Sequence, residues 1–122
     1  MKAIMIFAAL SLTACATVPP ANAGPTAGLN QVATVNGIRI RPIEVIEDSR
    51  CPANVRCVWA GRLVVRGRMN GSGWTQIRDF ELGVAQAVDQ YLVTLIGAEP
   101  PKIAPGPTDP NAYRFTFAVS TR

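Results

Sequence analysis

From Gly37 to the end of the chain, apolar and polar positions alternate in short runs separated by Gly, Pro, Asn and Asp, the pattern of strands with one face in a core. Gly37-Ile38-Arg39-Ile40-Arg41 alternates, Pro42 interrupts, and Ile43-Glu44-Val45-Ile46 resumes, which predicts a strand with a bulge or edge position near Pro42. Val58–Arg68 predicts a second strand, with Trp59, Leu63 and Val65 on one face and Arg62, Arg66 and Arg68 on the other. Asn70-Gly71-Ser72-Gly73 is a hairpin signal, after which Trp74–Leu82 is expected to return antiparallel. Gln90–Ala98 is almost continuously apolar and reads as a strand buried on both faces. Tyr113, Phe115, Phe117 and Val119 alternate with Arg114, Thr116, Ala118 and Ser120, the clearest one-sided strand in the chain. Between these runs, Val84–Asp89 is expected to form a short helical turn, and Pro100–Pro110, with five prolines, a long loop. The pattern predicts an all-β fold: a small antiparallel β-sandwich or barrel of six or seven strands.

The first thirty residues follow a different pattern. Met1-Lys2 is a short positive start, and Ala3–Ala14 is an apolar run of twelve, too short to span a bilayer but suited to a signal-peptide core. It closes on Leu12-Thr13-Ala14-Cys15, which resembles the bacterial lipobox of an aliphatic residue, two small residues and cysteine. The resemblance implies diacylglycerol on the Cys15 thiol, cleavage before Cys15 and acylation of the new amine, hence a membrane anchor. It also implies a bacterial envelope address. Ala16 in place of Asp favours the outer membrane, facing the periplasm, in a Gram-negative host. Residues 15–30 carry no charge and are rich in Pro, Ala and Gly, so they read as a lipidated cysteine and flexible tether. Residues 31–122 then form the single β domain, small enough to benefit from an additional staple.

Charge and composition narrow the chemistry. The chain of 122 residues has 12 Lys and Arg against 8 Asp and Glu, and its arginines are dispersed, which argues against nucleic acid as a partner. It has no histidine, which excludes Ser-His-Asp triads, Cys-His pairs and His-bearing metal sites. Lys102 is the one lysine after the signal segment and lies in the proline-rich loop, a poor position for a serine-activating base. Glu44 and Glu47 have opposite strand parity; Asp79 and Glu81 share a face, but nothing in the sequence places them in a cleft. These features point away from an enzyme, a cofactor or a bound metal.

With Cys15 assigned to lipid, Cys51 and Cys57 remain, six positions apart. In an exported chain they read as a disulfide, stabilising by roughly 2–2.5 kcal/mol through loop closure. A redox dithiol usually has a shorter spacing, and a zinc site lacks the ligands to complete it. Asp48 is expected to accept bonds from loop amides, Arg50 to pair with Asp48 or a carbonyl, and Gly61 to mark a bulge or close backbone approach. Trp59 is expected to pack near the disulfide.

Residues 48–61, Asp-Ser-Arg-Cys-Pro-Ala-Asn-Val-Arg-Cys-Val-Trp-Ala-Gly, resemble a signature of small bacterial exported proteins and lipoproteins of uncharacterised function. The resemblance supports an exported location and the disulfide and transfers no catalytic residue. Two surfaces emerge as candidates for binding: the cysteine corner with Arg50, Arg56 and Trp59, and the face carrying Arg62, Arg66 and Arg68, extended by Arg78 and Arg114 if strand order allows. Either would suit an acidic envelope component: a protein, lipopolysaccharide or peptidoglycan. The expected function is a non-catalytic binding or structural module. The alternative is a tethered inhibitor of a lytic enzyme or protease, acting through the rigid Pro100–Pro110 loop.

Overall fold

The computed structural model describes residues 25–122. It contains β1 (Thr26–Ala27), β2 (Ala33–Val35), β3 (Ile38–Asp48), β4 (Leu63–Gly71), β5 (Trp74–Glu81), β6 (Ala85–Val88), β7 (Tyr91–Glu99) and β8 (Arg114–Thr121). They form two four-stranded antiparallel sheets, ordered β1-β8-β7-β6 and β2-β3-β4-β5, stacked as a sandwich. The strand total exceeds the expected six or seven because β1, β2 and β6 are short. Cys51 and Cys57 are bonded, with Cα atoms 5.8 Å apart. The signal segment, Cys15 and the first part of the expected tether lie outside the described residues.

Tight turns join neighbours in each sheet. Asn36-Gly37 links β2 to β3 with both residues at positive φ, the requirement that makes Asn-Gly favourable in two-residue hairpins. The predicted Asn70–Gly73 hairpin is present, with Gly71 opposite Trp74 and Gly73 at positive φ. β3 shifts register after Pro42 and again after Val45, as the interruption at Pro42 predicts. The fold also starts earlier than expected: Thr26 pairs with Thr116, so the β domain takes in residues before Gln31.

Alternation fills the space between the sheets. Ile38, Ile40, Val65, Met69 and Phe80 point inward from one layer and Val93, Leu95, Phe115 and Phe117 from the other, all buried. The rings of Phe80 and Phe117 meet edge to face across the sandwich, with centroids 5.7 Å apart. Burial of such a side chain contributes about 1.5–3 kcal/mol, so these facing positions hold the layers together.

Three expected elements differ. Val84–Asp89 is no helical turn: Ala85–Val88 is a strand, tied to β7 by a two-residue turn at Asp89-Gln90. Strand β7 is not buried on both faces; Val93 and Leu95 are buried, whereas a register shift between Leu95 and Gly97 leaves Ile96 exposed. The strand expected from Val58 begins only at Leu63, so Val58 and Trp59 lie outside the ladder.

Candidate functional site

Asp48 ends β3 and Leu63 opens β4 directly opposite it. Ser49 extends this ladder by one step: its N–H donates to the Arg62 carbonyl at 2.9 Å, while its Oγ accepts from the Arg62 N–H at 3.0 Å. The Ser49 carbonyl takes no part, because it is turned against Gly61. A Cβ on Gly61 would lie 1.5 Å from that oxygen, so the close approach expected at this glycine is real and no larger residue fits without backbone movement. The chain between Ser49 and Gly61, closed by the disulfide, projects from the end of the sandwich.

A charged cluster fixes the base of the projection. Arg50 donates from Nε and Nη2 to the two Asp48 carboxylate oxygens at 2.8 and 2.9 Å, a bidentate pair with both side chains largely buried. The Tyr113 hydroxyl donates to Asp48 Oδ2 at 2.7 Å. The Arg50 guanidinium holds the Asp48 carboxyl below the ordinary carboxylate value, with a smaller contribution from Tyr113, against the opposing effect of burial. Arg50 is pushed up by the same carboxylate, and Tyr113 is pushed up by burial first and by its bond to Asp48 second.

Five hydrogen bonds lace the disulfide loop and its root to the proline-rich loop. Arg50 Nη2 donates to the Pro100 carbonyl at 3.4 Å, and Lys102 Nζ donates to the Asp48 carbonyl at 2.7 Å. The Ala53 N–H donates to the Lys102 carbonyl at 2.7 Å. Asn54 bonds both backbone groups of Ala104, donating from Nδ2 at 2.8 Å and accepting at Oδ1 at 2.9 Å, as an adjoining strand would. The proline-rich segment is therefore no separate finger: with the disulfide loop it makes one braced ledge. Lys102 and Tyr113, which strand parity and composition do not connect to the cysteine motif, are two of its fasteners.

The ledge presents apolar surface. Val58 is 91% and Trp59 84% exposed, and Val55 and Ile103 are about half exposed. Trp59 thus does not pack into the corner as expected; the chain from Cys57 to Gly61 has no strand partner to turn its ring inward. Arg56 is exposed, whereas Arg50 is committed to Asp48 and Pro100.

The arginine face is also partly committed. Arg62 pairs with Glu47. Arg66 pairs with Asp79 at 2.9 Å and lies 3.8 Å from Glu44, and Asp79 raises its pKa. Arg68 is exposed and makes no ion pair among the described residues. Arg78 stands opposite Gly67, on the other parity, and Arg114 belongs to the other sheet, so neither extends this face. Glu47, Asp79 and Glu81 line an open groove of about 580 Å³ together with Arg62, Val64 and Gln86. Comparison with protein-family models, curated proteins and solved structures gives no match for this chain.

Proposed function

We propose that this protein is a non-catalytic binding module of the bacterial cell envelope, anchored by lipid on Cys15 and recognising its partner through the disulfide ledge. The observation that carries the reading is the pairing of exposed Val58 and Trp59 with a braced support. A tryptophan and a valine left in water next to a disulfide, a bidentate ion pair and five inter-loop hydrogen bonds are held ready for a partner, with little ordering cost on association. Tryptophan is the residue type that most often dominates a binding interface. Arg56 adds an exposed cation that makes no ion pair among the described residues, so the fitting partner is an envelope protein with an apolar surface bordered by carboxylates. Lipopolysaccharide and peptidoglycan offer acidic groups but less apolar area for Trp59.

A tethered inhibitor is the second reading, favoured by the same rigidity: a preorganised loop pair resists being remodelled by an enzyme it blocks. In this form the inhibitory element is the whole ledge, since Pro100–Pro110 is laced to the disulfide loop.

Chemical crosslinking in intact envelopes, with residue 59 left as tryptophan in the native chain, tests both readings. A single partner captured by the native chain, lost with Trp59→Ala and retained with Arg62→Ala/Arg66→Ala, supports the ledge. If that partner is a hydrolase whose activity falls on binding, the inhibitor form holds. Equal capture by native and Trp59→Ala chains overturns the ledge as the binding surface. Incorporation of labelled palmitate that disappears with Cys15→Ser tests the anchor separately.

A further inference from the structure

At the end of β3 and β4 remote from the ledge, the outer face of the β2-β3-β4-β5 sheet carries a different feature. Arg41 stands directly opposite Arg68, and Arg39, two residues along β3 on the same face, stands opposite Asn70. The three arginines, Asn70 and Val32 line a recess of about 240 Å³. None of the three makes an ion pair or a side-chain hydrogen bond among the described residues.

Neighbouring positions supply no countercharge. Across the sheet, Arg39 faces Thr34 on β2, Asn70 faces Thr75 on β5, and Arg68 faces Ile77 on β5. One row further along, the arrangement is reversed: Arg66 lies between Glu44 on β3 and Asp79 on β5 and bonds to Asp79 in a fork. The same sheet face therefore gives one arginine two carboxylates and gives three adjacent arginines none. Like charges directly opposite on an antiparallel pair destabilise it, so an uncompensated Arg41–Arg68 pair points to a counter-anion from outside the chain.

We infer that Arg39, Arg41 and Arg68 form a binding site for a phosphomonoester group. A carboxylate has one charge and two oxygens, which a single guanidinium fork satisfies. Three forks converging on one recess match a dianion with three terminal oxygens. Asn70 adds an amide that donates to an ester or hydroxyl oxygen beside the phosphoryl group. The site lies on a sheet face rather than on the ledge and does not depend on the ledge being a recognition surface. The phosphomonoester belongs either to a lipid headgroup or to a soluble metabolite, which share this chemistry.

Titration of the full chain with glycerol 3-phosphate, followed by calorimetry and by the Nε–Hε signals of its arginines, tests the site. The expected result is saturable binding that moves the signals of Arg39, Arg41 and Arg68, with glycerol inert. Arg41→Gln and Arg68→Gln should each weaken binding at least about tenfold, whereas Arg78→Gln, which removes the same charge from the adjacent strand, should change it by less than about twofold. Absence of saturable binding overturns the proposal, as does equal weakening by Arg78→Gln, which reduces the effect to net charge. The signal shifts in the unsubstituted chain provide a readout that no folding defect of a variant obscures. Flotation of the Cys15→Ser chain with phosphatidylcholine vesicles, with and without phosphatidic acid, separates the sources. Capture that requires phosphatidic acid and Arg68 assigns a headgroup; glycerol 3-phosphate binding without capture assigns a soluble ligand. Both outcomes uphold the site.

Discussion

The Tyr113 hydroxyl donates to Asp48 Oδ2 at 2.7 Å, joining the residue that opens the cysteine motif to the one that leads into the last strand, 65 positions later. The Tyr113 ring stacks on Phe115 at a centroid distance of 5.2 Å, so this bond runs from the hydrophobic core to the root of the ledge. The same carboxylate holds Arg50 in a fork and thereby connects the core to the Pro100 loop.

Asp48→Asn should therefore act on both loops at once. It removes the charge from the fork and leaves the Arg50 guanidinium, 15% exposed, without its counter-ion. The expected loss is about 2 kcal/mol in denaturant unfolding, against about 1 kcal/mol for Tyr113→Phe, which deletes one hydrogen bond. The double substitution should cost less than the sum of the single ones, because both act on one carboxylate. Additive losses would show that the two bonds stabilise independently.

The same cluster sets a pH dependence at both extremes. Asp48 has its pKa lowered in the folded state, so its contribution is fully present above the unfolded value near 3.8 and is lost as pH falls through the lower folded value. Tyr113 has its pKa raised, so its contribution is fully present below the unfolded value near 10.0 and is lost as pH rises through the higher folded value. Stability of the native chain should fall at each end, and Asp48→Asn should flatten the acid limb while leaving less stability at neutral pH. Midpoints of thermal unfolding measured from pH 2 to 11 check this, and an unchanged acid limb in Asp48→Asn would remove Asp48 from the account.

Gly61 and Gly97 make a matched pair for mutation. An alanine Cβ at Gly61 would lie 1.5 Å from the Ser49 carbonyl oxygen, whereas at Gly97 its nearest neighbour is Thr116 Cβ at an ordinary 3.6 Å. Gly61→Ala should cost more than about 2 kcal/mol, since backbone must shift, and should weaken the Ser49–Arg62 bonds. Gly97→Ala should change stability by less than about 0.5 kcal/mol. Chemical denaturation of the two variants compares them directly.

The legible parts of the fold are those in which local pattern and tertiary pairing agree. Strand β8 alternates Phe115, Phe117 and Val119 with polar or small residues, and its burial follows that period. In contrast, Val58 and Trp59 have strand-like composition, but the Ser49–Gly61 approach ends the ladder at Leu63 and leaves them in water. Strand β6, Ala-Gln-Ala-Val, has little intrinsic strand preference and owes its state to pairing with β7. The Asn36-Gly37 turn signal is present in the sequence, yet β2 before it is only three residues long and shows no period of its own. For the arginine face, parity reads correctly from Arg62 to Arg68, but pairing does not. Glu44 reaches Arg66 only after the register shift that follows Pro42, and Arg39 and Arg41 join Arg68 through cross-strand register, which alternation alone does not encode.

Removal of the disulfide should loosen the ledge more than the sandwich. Cys51→Ser/Cys57→Ser is expected to lose roughly 2–2.5 kcal/mol, the loop-closure value for so short a ring. Amide exchange should quicken at Ala53 and Ala104, which bond between the two loops, and stay unchanged at Val93 and Leu95 in the core. Faster exchange throughout would instead show that the disulfide supports the whole domain.

The recess formed by Arg39, Arg41 and Arg68 makes a prediction about stability that is independent of any ligand measurement. In low-salt buffer without phosphate Arg41 and Arg68 repel across the ladder, with Ile77 and not a carboxylate on the far side of Arg68. Arg68→Thr removes that repulsion and places a β-branched residue on an outward strand position, so it should raise stability by a few tenths of a kcal/mol at low salt. The gain should shrink in concentrated salt, where the repulsion is already screened. Arg66→Thr, one row away, should lower stability, because Asp79 and Glu44 lose the cation between them. Opposite signs for the same substitution at positions two residues apart on one strand are expected only if the first arginine lacks a partner within the chain and the second has one. Unfolding of the two variants at low and high salt decides it, and a loss of stability with Arg68→Thr at low salt would mean that this arginine is held by contacts within the protein.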